Sequence, residues 1–317
     1  MRPIHWLLLL AAAPLGAAAA AQAQSDKTGA LASQSARELN AQCSAGSAAA
    51  CVELGDRYYQ GQDVTHDASQ ALTLYEKGCS EGDGGGCFRL ASSYFSGDGV
   101  EQDSEKGVSY LKRSCELDFG YGCSNLGGLF ITGQFFEADL AEALKLLEKA
   151  CTLKDGSGCH NLGVVYAEGL GVSADVTEAL RYYEQSCALD YGSGCSNLGA
   201  MYATALGVPQ DDVKAKSYFE KACALNDGIG CKNLGGLYYA GRVVEQDYDK
   251  ARALFERACA LEEGLSCNYL GLIYEEGEGV EKNADTALQY YKKSCELGNE
   301  DGCQNQAQLE QTLHADR

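Results

Sequence analysis

The amino-acid sequence predicts an all-α solenoid built from seven helix-turn-helix repeats of 36 residues, with a disulfide at each repeat junction. Three observations predict it. Cys43, Cys79, Cys115, Cys151, Cys187, Cys223, Cys259 and Cys295 recur every 36 residues, and each has a companion eight residues on: Cys51, Cys87, Cys123, Cys159, Cys195, Cys231, Cys267 and Cys303. Apolar and small residues then recur at 0, 3, 4 and 7 residues after the second cysteine, which is one face of an α-helix. A capping residue opens a second helix in every repeat. No insertion breaks the register.

Helix A of each repeat is expected to start at the second cysteine and to run about ten residues. Position +3 is Leu54, Leu90, Leu126, Leu162, Leu198, Leu234 and Leu270. Position +4 is glycine or alanine: Gly55, Ala91, Gly127, Gly163, Gly199, Gly235 and Gly271. A glycine weakens a helix, so close approach of a neighbouring helix is expected there. Position +7 is aromatic (Tyr58, Tyr94, Phe130, Tyr166, Tyr202, Tyr238 and Tyr274) and is assigned to packing. Helix A ends at a glycine at +10, with Ala205 as the exception. Helix B is capped by Asp67, Asp103, Asp139, Asp175, Asp211, Asp247 or Asn283, whose side chains can accept from an orphan N–H. The glycines between paired cysteines are read as turn residues that fold helix A back on the preceding helix B. Cα atoms eight residues apart then come within about 5–6 Å, as a disulfide needs. Half-repeat caps are expected at about 30–50 and 303–313 of a single solenoid domain spanning 30–317.

The first 23 residues read as a secretory signal peptide. Arg2 supplies the positive start, Trp6–Ala13 the apolar core, and Ala21-Gln22-Ala23 the cleavage site. That core is too short for a bilayer, which takes about 20 residues. Residues 24–29 are expected to be a disordered tail. An even count of 16 regularly spaced cysteines also implies an oxidising compartment, so the chain is expected to be periplasmic or secreted. No C-x-x-C exists, and His5, His66, His160 and His314 share no repeat position, so neither a metal nor another cofactor is expected. The net charge is −20; residues 1–23 hold one base and no acid, so removing them leaves −21. That charge excludes nucleic acid and anionic membrane surfaces as partners.

Runs such as Cys223-Ala-Leu-Asn-Asp-Gly-Ile-Gly-Cys231-Lys-Asn-Leu-Gly-Gly-Leu-Tyr238 resemble the Sel-one-like repeat (SLR) family, relatives of the tetratricopeptide repeats. The paired cysteines are similar to those of the bacterial cysteine-rich, Hcp-type SLR proteins. The resemblance covers about residues 30–313. It implies a right-handed superhelix with helix A on the concave side. It also implies a scaffold for a protein or peptide partner, here expected to act as a monomer. For some relatives it implies penicillin binding with weak β-lactamase activity, and so a β-lactam or peptidoglycan-derived ligand.

Serine β-lactamase elements occur only as Ser109-Tyr-Leu-Lys112 and Lys27-Thr28-Gly29. The first occupies a variable position of helix B, the second the expected tail, and both are read as chance. The catalytic residues of any enzymatic reading are therefore unassigned. Binding has more to support it. Positions +1, +2, +5, +8 and +9 of helix A vary between repeats, as a partner-reading surface would. Within them, +2 is asparagine in four consecutive repeats: Asn125, Asn161, Asn197 and Asn233. Amides both donate and accept, so such a ladder could clamp an extended peptide. Tyr59, Phe95 and Tyr239 at +8 are expected to be exposed aromatic contacts.

Overall fold

The computed structural model describes residues 29–315. The signal-peptide reading and most of the tail reading lie outside these residues. Among the described residues there are seventeen α-helices and no strand, in two compact units. In the unit that runs to Asp175, α1 (Gly29–Ala32) and α2 (Ala36–Ser44) come first. Three A/B pairs follow: α3 (Ala48–Gln60) with α4 (Ala68–Ser80), α5 (Gly84–Ser96) with α6 (Ser104–Glu116), and α7 (Gly120–Thr132) with α8 (Leu140–Thr152). Helix α9 (Gly156–Glu168) closes that unit. The unit that starts at Val176 opens with α10 (Val176–Ala188). It continues with α11 (Gly192–Thr204) and α12 (Asp212–Ala224), α13 (Gly228–Ala240) and α14 (Tyr248–Ala260), then α15 (Gly264–Glu276) and α16 (Ala284–Glu296). Helix α17 (Glu300–Ala315) is last.

Within a pair, A and B cross where side chains are smallest. A Cβ placed on Gly55, Gly127, Gly199 or Gly235 would lie 3.2–3.3 Å from the carbonyl of Ala71, Ala143, Ala215 or Ala251, and against the Tyr75, Leu147, Phe219 or Phe255 side chain. Those alanines are fully buried. The +4 glycines thus have the reason the sequence demanded of them. The +3 leucines are buried at every repeat. The +7 tyrosines stack on helix B: Tyr94 on Tyr110, Tyr202 on Tyr218 and Tyr274 on Tyr290, with centroids 5.6–5.7 Å apart.

All eight disulfides join cysteines eight residues apart, with Cα–Cα distances of 4.5–4.9 Å. The turn they close is not made by the glycines next to the second cysteine. Helix A is 13 residues long and begins three residues before that cysteine. Asp83, Asp155, Asp227 and Glu263 cap it by accepting from first-turn N–H groups. Gly86, Gly158 and Gly230 are therefore first-turn helix residues. An added Cβ there would lie 3.0–3.1 Å from the backbone nitrogen of Cys79, Cys151 or Cys223, so bare backbone relieves crowding beside the bridge, although Ala50 and Ser266 hold the same place at two other bridged junctions. The left-handed residue of the turn sits five positions before the second cysteine: Gly46, Gly82 and Gly298, but also Asp118, Lys154, Asp190, Asn226 and Glu262.

Other boundaries follow the sequence. Gly61, Gly97, Gly133, Gly169, Gly241 and Gly277 end their helices in the left-handed conformation, and Ala205 does the same at φ 59°. Asp67, Asp103, Asp139, Asp211, Asp247 and Asn283 each accept a first-turn N–H of helix B. The N-terminal half-repeat holds two helices, α1 and α2, rather than one. Ser35 starts a new helix there through a reciprocal capping box with Glu38.

Candidate functional site

The variable positions of helix A separate into rows with different fates. Position +1 is buried, not solvent-facing: Val52, Phe88, Ser124, His160, Ser196 and Asn268 are at most 6% exposed. Its partner lies on the following repeat. Phe88 meets the rings of Phe119 and Tyr121 at 5.8 and 5.2 Å. Ser124 Oγ lies 2.9 Å from Ser157 Oγ, beside Asp155. Ser196 Oγ donates to Asp227 at 2.5 Å, and Lys232 Nζ to Glu263 at 2.9 Å. Variation at +1 therefore records a matched pairing between neighbours. The reading of +1 as a partner-facing position is corrected, because Phe88, Ser124, Ser196 and Lys232 are each matched to the start of the next helix A within their own unit.

Burial pushes the pKa of Asp155 up, against the bonds it accepts from Ser124 and Ser157 and from the backbone N–H groups of Ser157 and Gly158. This junction holds a carboxyl group with little water around it.

Position +2 is half-buried throughout the asparagine row. Asn125 donates to the Tyr121 carbonyl of its own helix at 2.7 Å. Asn161 Oδ1 lies 3.3 Å from His160 Nδ1. Asn197 takes the same register on α11. Asn233 Nδ2 is buried with no hydrogen-bond partner. Asn305 Nδ2 donates to Asn268 Oδ1 at 2.9 Å. In the second repeat +2 is Arg89, gripped by Asp56: Nη2 donates to Oδ2 at 2.6 Å, and Nε donates to Oδ1, which also accepts from Tyr75 at 2.8 Å. Burial works against the Arg89 charge, but Asp56 outweighs it and holds the guanidinium pKa above its ordinary value. Burial first, and then Asp56, raises that of Tyr75. Arg89 Nη1 is a second buried donor with no partner. Sequence reasoning missed Arg89, though its shared register with the asparagines was there to be read.

The +8 aromatics mostly tie repeats together. Tyr59 donates to Asp98 at 2.6 Å, and Tyr239 donates to Glu278, each an acid on the next A-to-B loop. The Asp98 bond raises the Tyr59 pKa; burial and then Glu278 push that of Tyr239 up to about 12. Phe95 is only 9% exposed and stacks on Phe135 at 5.2 Å, so it is a packing residue rather than an exposed contact. Position +9 is exposed in every repeat, from Gln60 to Glu276. Ser109 and Lys112 are both exposed on α6. Among the described residues no cluster of His, Cys, Asp or Glu could hold a metal ion, and no helix is long and apolar enough to cross a membrane.

Stacked helix pairs with junction disulfides and a register-matched polar row define an all-α repeat protein of the scaffold class. The Sel1 repeat model matches residues 48–83, 85–119, 120–155, 156–191, 192–227, 229–262 and 264–299, and the chain belongs to that family. Among solved structures it is similar to a protective antigen of uropathogenic Escherichia coli displaying an SLR fold. The two share 31% identity at a TM-score of 0.65, over 87% of this chain and 59% of the antigen, so this chain spans about three-fifths of that protein's length. A Sel1 repeat protein from Oxalobacter formigenes shares 24% identity at a TM-score of 0.69, over 77% of this chain and 99% of its own. Cysteine-rich protein B of Helicobacter pylori shares 34% identity at a TM-score of 0.36, over 44% of this chain and 99% of its own. No curated protein matches the chain.

Proposed function

We propose that this protein is an exported scaffold, periplasmic or secreted, that binds an extended protein or peptide partner along the open side of its A helices. The carrying observation is the +2 position, where Asn125 and Asn161 in one unit, and Asn197 and Asn233 in the other, repeat at one register of helix A and stay half-exposed. A side-chain amide can pair with both polar groups of a peptide unit, so a row of them suits an extended main chain. The eight disulfides fit an oxidising compartment, which supports export. The similar E. coli protein is a protective antigen, which fits a surface or secreted setting.

Replacing Asn125, Asn161, Asn197 and Asn233 together by alanine is expected to abolish capture of the partner, with the melting temperature nearly unchanged. Cross-linked affinity capture from periplasmic and culture fractions, alongside thermal melting, reads both. Retained capture, or a large fall in melting temperature, would rule the reading out. The β-lactamase alternative has no observation in its favour beyond the family resemblance.

A further inference from the structure

Within this proposed binding face, and resting on that reading, we infer that each unit carries a seat where a partner's main chain lies directly on bare helix backbone, at Gly128 on α7 and Gly236 on α13. Glycine inside a helix is destabilising relative to alanine and needs a structural reason. Gly127 and Gly235 have one: a Cβ there would strike Leu147 and Phe255 at 2.9 Å. Their neighbours Gly128 and Gly236 do not, because a Cβ at either meets nothing within 4 Å. Both stand at +5, three repeats apart, where other repeats carry Asp56, Ser92, Val164, Ala200 and Leu272. Packing within the chain therefore explains neither glycine. Close approach of a ligand's backbone does, since only glycine leaves a helix surface flat enough for it.

A second observation converges on the same place. The two glycines lie three residues after Asn125 and Asn233, and residues i and i+3 share a helix face. Asn233 Nδ2 is a buried donor with no acceptor. The torsion that orients an amide is soft, so rotation can turn this donor to the open side. A peptide carbonyl arriving over Gly236 is the acceptor it lacks. In the other unit Asn125, three residues before Gly128, already donates to the Tyr121 carbonyl, so the seat with a waiting donor is the one at Gly236.

The seat on α13 also constrains the partner's side chains. On α15, Tyr269 and Leu272 repeat positions +2 and +5 and are each 37% exposed. The bond from Lys232 to Glu263 ties the capped start of α15 to α13. Packed helices lie about 8–10 Å apart. A polyproline-II-like chain advances about 9 Å in three residues and returns to the same side. The partner is therefore an extended segment that places an apolar residue three positions from the one over Gly236.

The probe is a fluorescein-labelled dodecapeptide selected on the mature protein from a random displayed library. Its affinity for Gly236→Ala and Gly236→Leu is measured by fluorescence polarisation, and melting is recorded for each variant. The alanine variant is expected to bind about tenfold more weakly while melting a few degrees higher, and the leucine variant to lose binding. Selected peptides are expected to need their apolar residue three positions from a residue tolerant of any side chain. Unchanged affinity in both variants overturns the inference. A fall in melting temperature for Gly236→Ala overturns it too, because the open space would then be absent. If the four asparagine substitutions abolish binding while the glycine variants keep it, only this inference falls. If both sets keep binding, or no peptide is selected, the proposed binding face falls with it. A concentration-dependent dimer that Gly236→Ala abolishes would make the occupant a second copy of this chain and overturn the assignment to a foreign segment.

Discussion

At the scale of single residues, the repeat acts as its own control, because one position can be compared across seven environments. Position +12, in the loop after helix A, is glycine with positive φ at Gly99, Gly171, Gly207 and Gly279. Val243 occupies it at φ 54° and is 47% exposed. A β-branched residue in the left-handed region is strained by about 1–2 kcal/mol, and Val243 has little burial to offset this. Val243→Gly is expected to stabilise the protein by about 1 kcal/mol, read as a raised denaturation midpoint at unchanged slope. Asp155 gives a pH-dependent counterpart. Its folded pKa is raised, so its contribution to stability is greatest below the ordinary carboxylate range and is lost as pH rises through the raised value. Asparagine keeps the capping oxygen without the charge. The melting temperature of Asp155→Asn minus that of the wild type is expected to be larger at pH 7 than at pH 3. A difference independent of pH would show that the carboxyl is not desolvated.

At the scale of elements, the junction between helix B and the next helix A is where sequence and structure agreed on the bond but not on the backbone. Cysteine spacing, +3 leucines, +10 glycines and Asp caps were legible because each is a local, repeated signal. The true start of helix A was not, because Gly84 and Gly86 are poor helix formers and the apolar period begins only at Cys87. The cap at Asp83, Asp155 or Asp227, four residues before the cysteine, was the available signal. Position +1 was illegible for a different reason: its partner lies more than 30 residues away, as for Lys232 with Glu263, so matched variation looked like free variation. The junction is further held by a lysine on helix B that reaches back one repeat. Lys149 donates to the Cys115 carbonyl at 2.7 Å and pairs with Asp118 at 2.8 Å; Lys221 repeats this with Cys187 and Asp190. These groups are well exposed, so Lys149→Ala is expected to cost only about 0.5–1 kcal/mol in chemical denaturation. Replacing Cys223 and Cys231 together by serine removes a short closed loop and is expected to cost more, about 2–3 kcal/mol in the chain-entropy model. Equal losses from the two substitutions would argue that the bridge adds little beyond the contacts around it.

At the scale of the whole molecule, the dominant quantity is charge. Forty-five acidic residues face 25 basic ones, for a net −20. Many bases are already committed locally, as in Arg181 with Glu178 and Lys145 with Glu142, so the excess is carboxylate. Two opposing effects respond to salt. Exposed ion pairs weaken as they are screened, but each is worth little. Repulsion among the excess carboxylates destabilises any compact state and is also screened, with a Debye length falling from about 30 Å at 0.01 M to about 10 Å at 0.1 M. Repulsion sums over the whole surface while the pairs act one at a time, so repulsion should win. The melting temperature is expected to rise between 0.01 and about 0.3 M sodium chloride at neutral pH, and to rise less near pH 4.5, where the sequence charge approaches zero. A melting temperature that falls with salt at neutral pH would mean that the ion pairs carry more of the stability than their exposure allows.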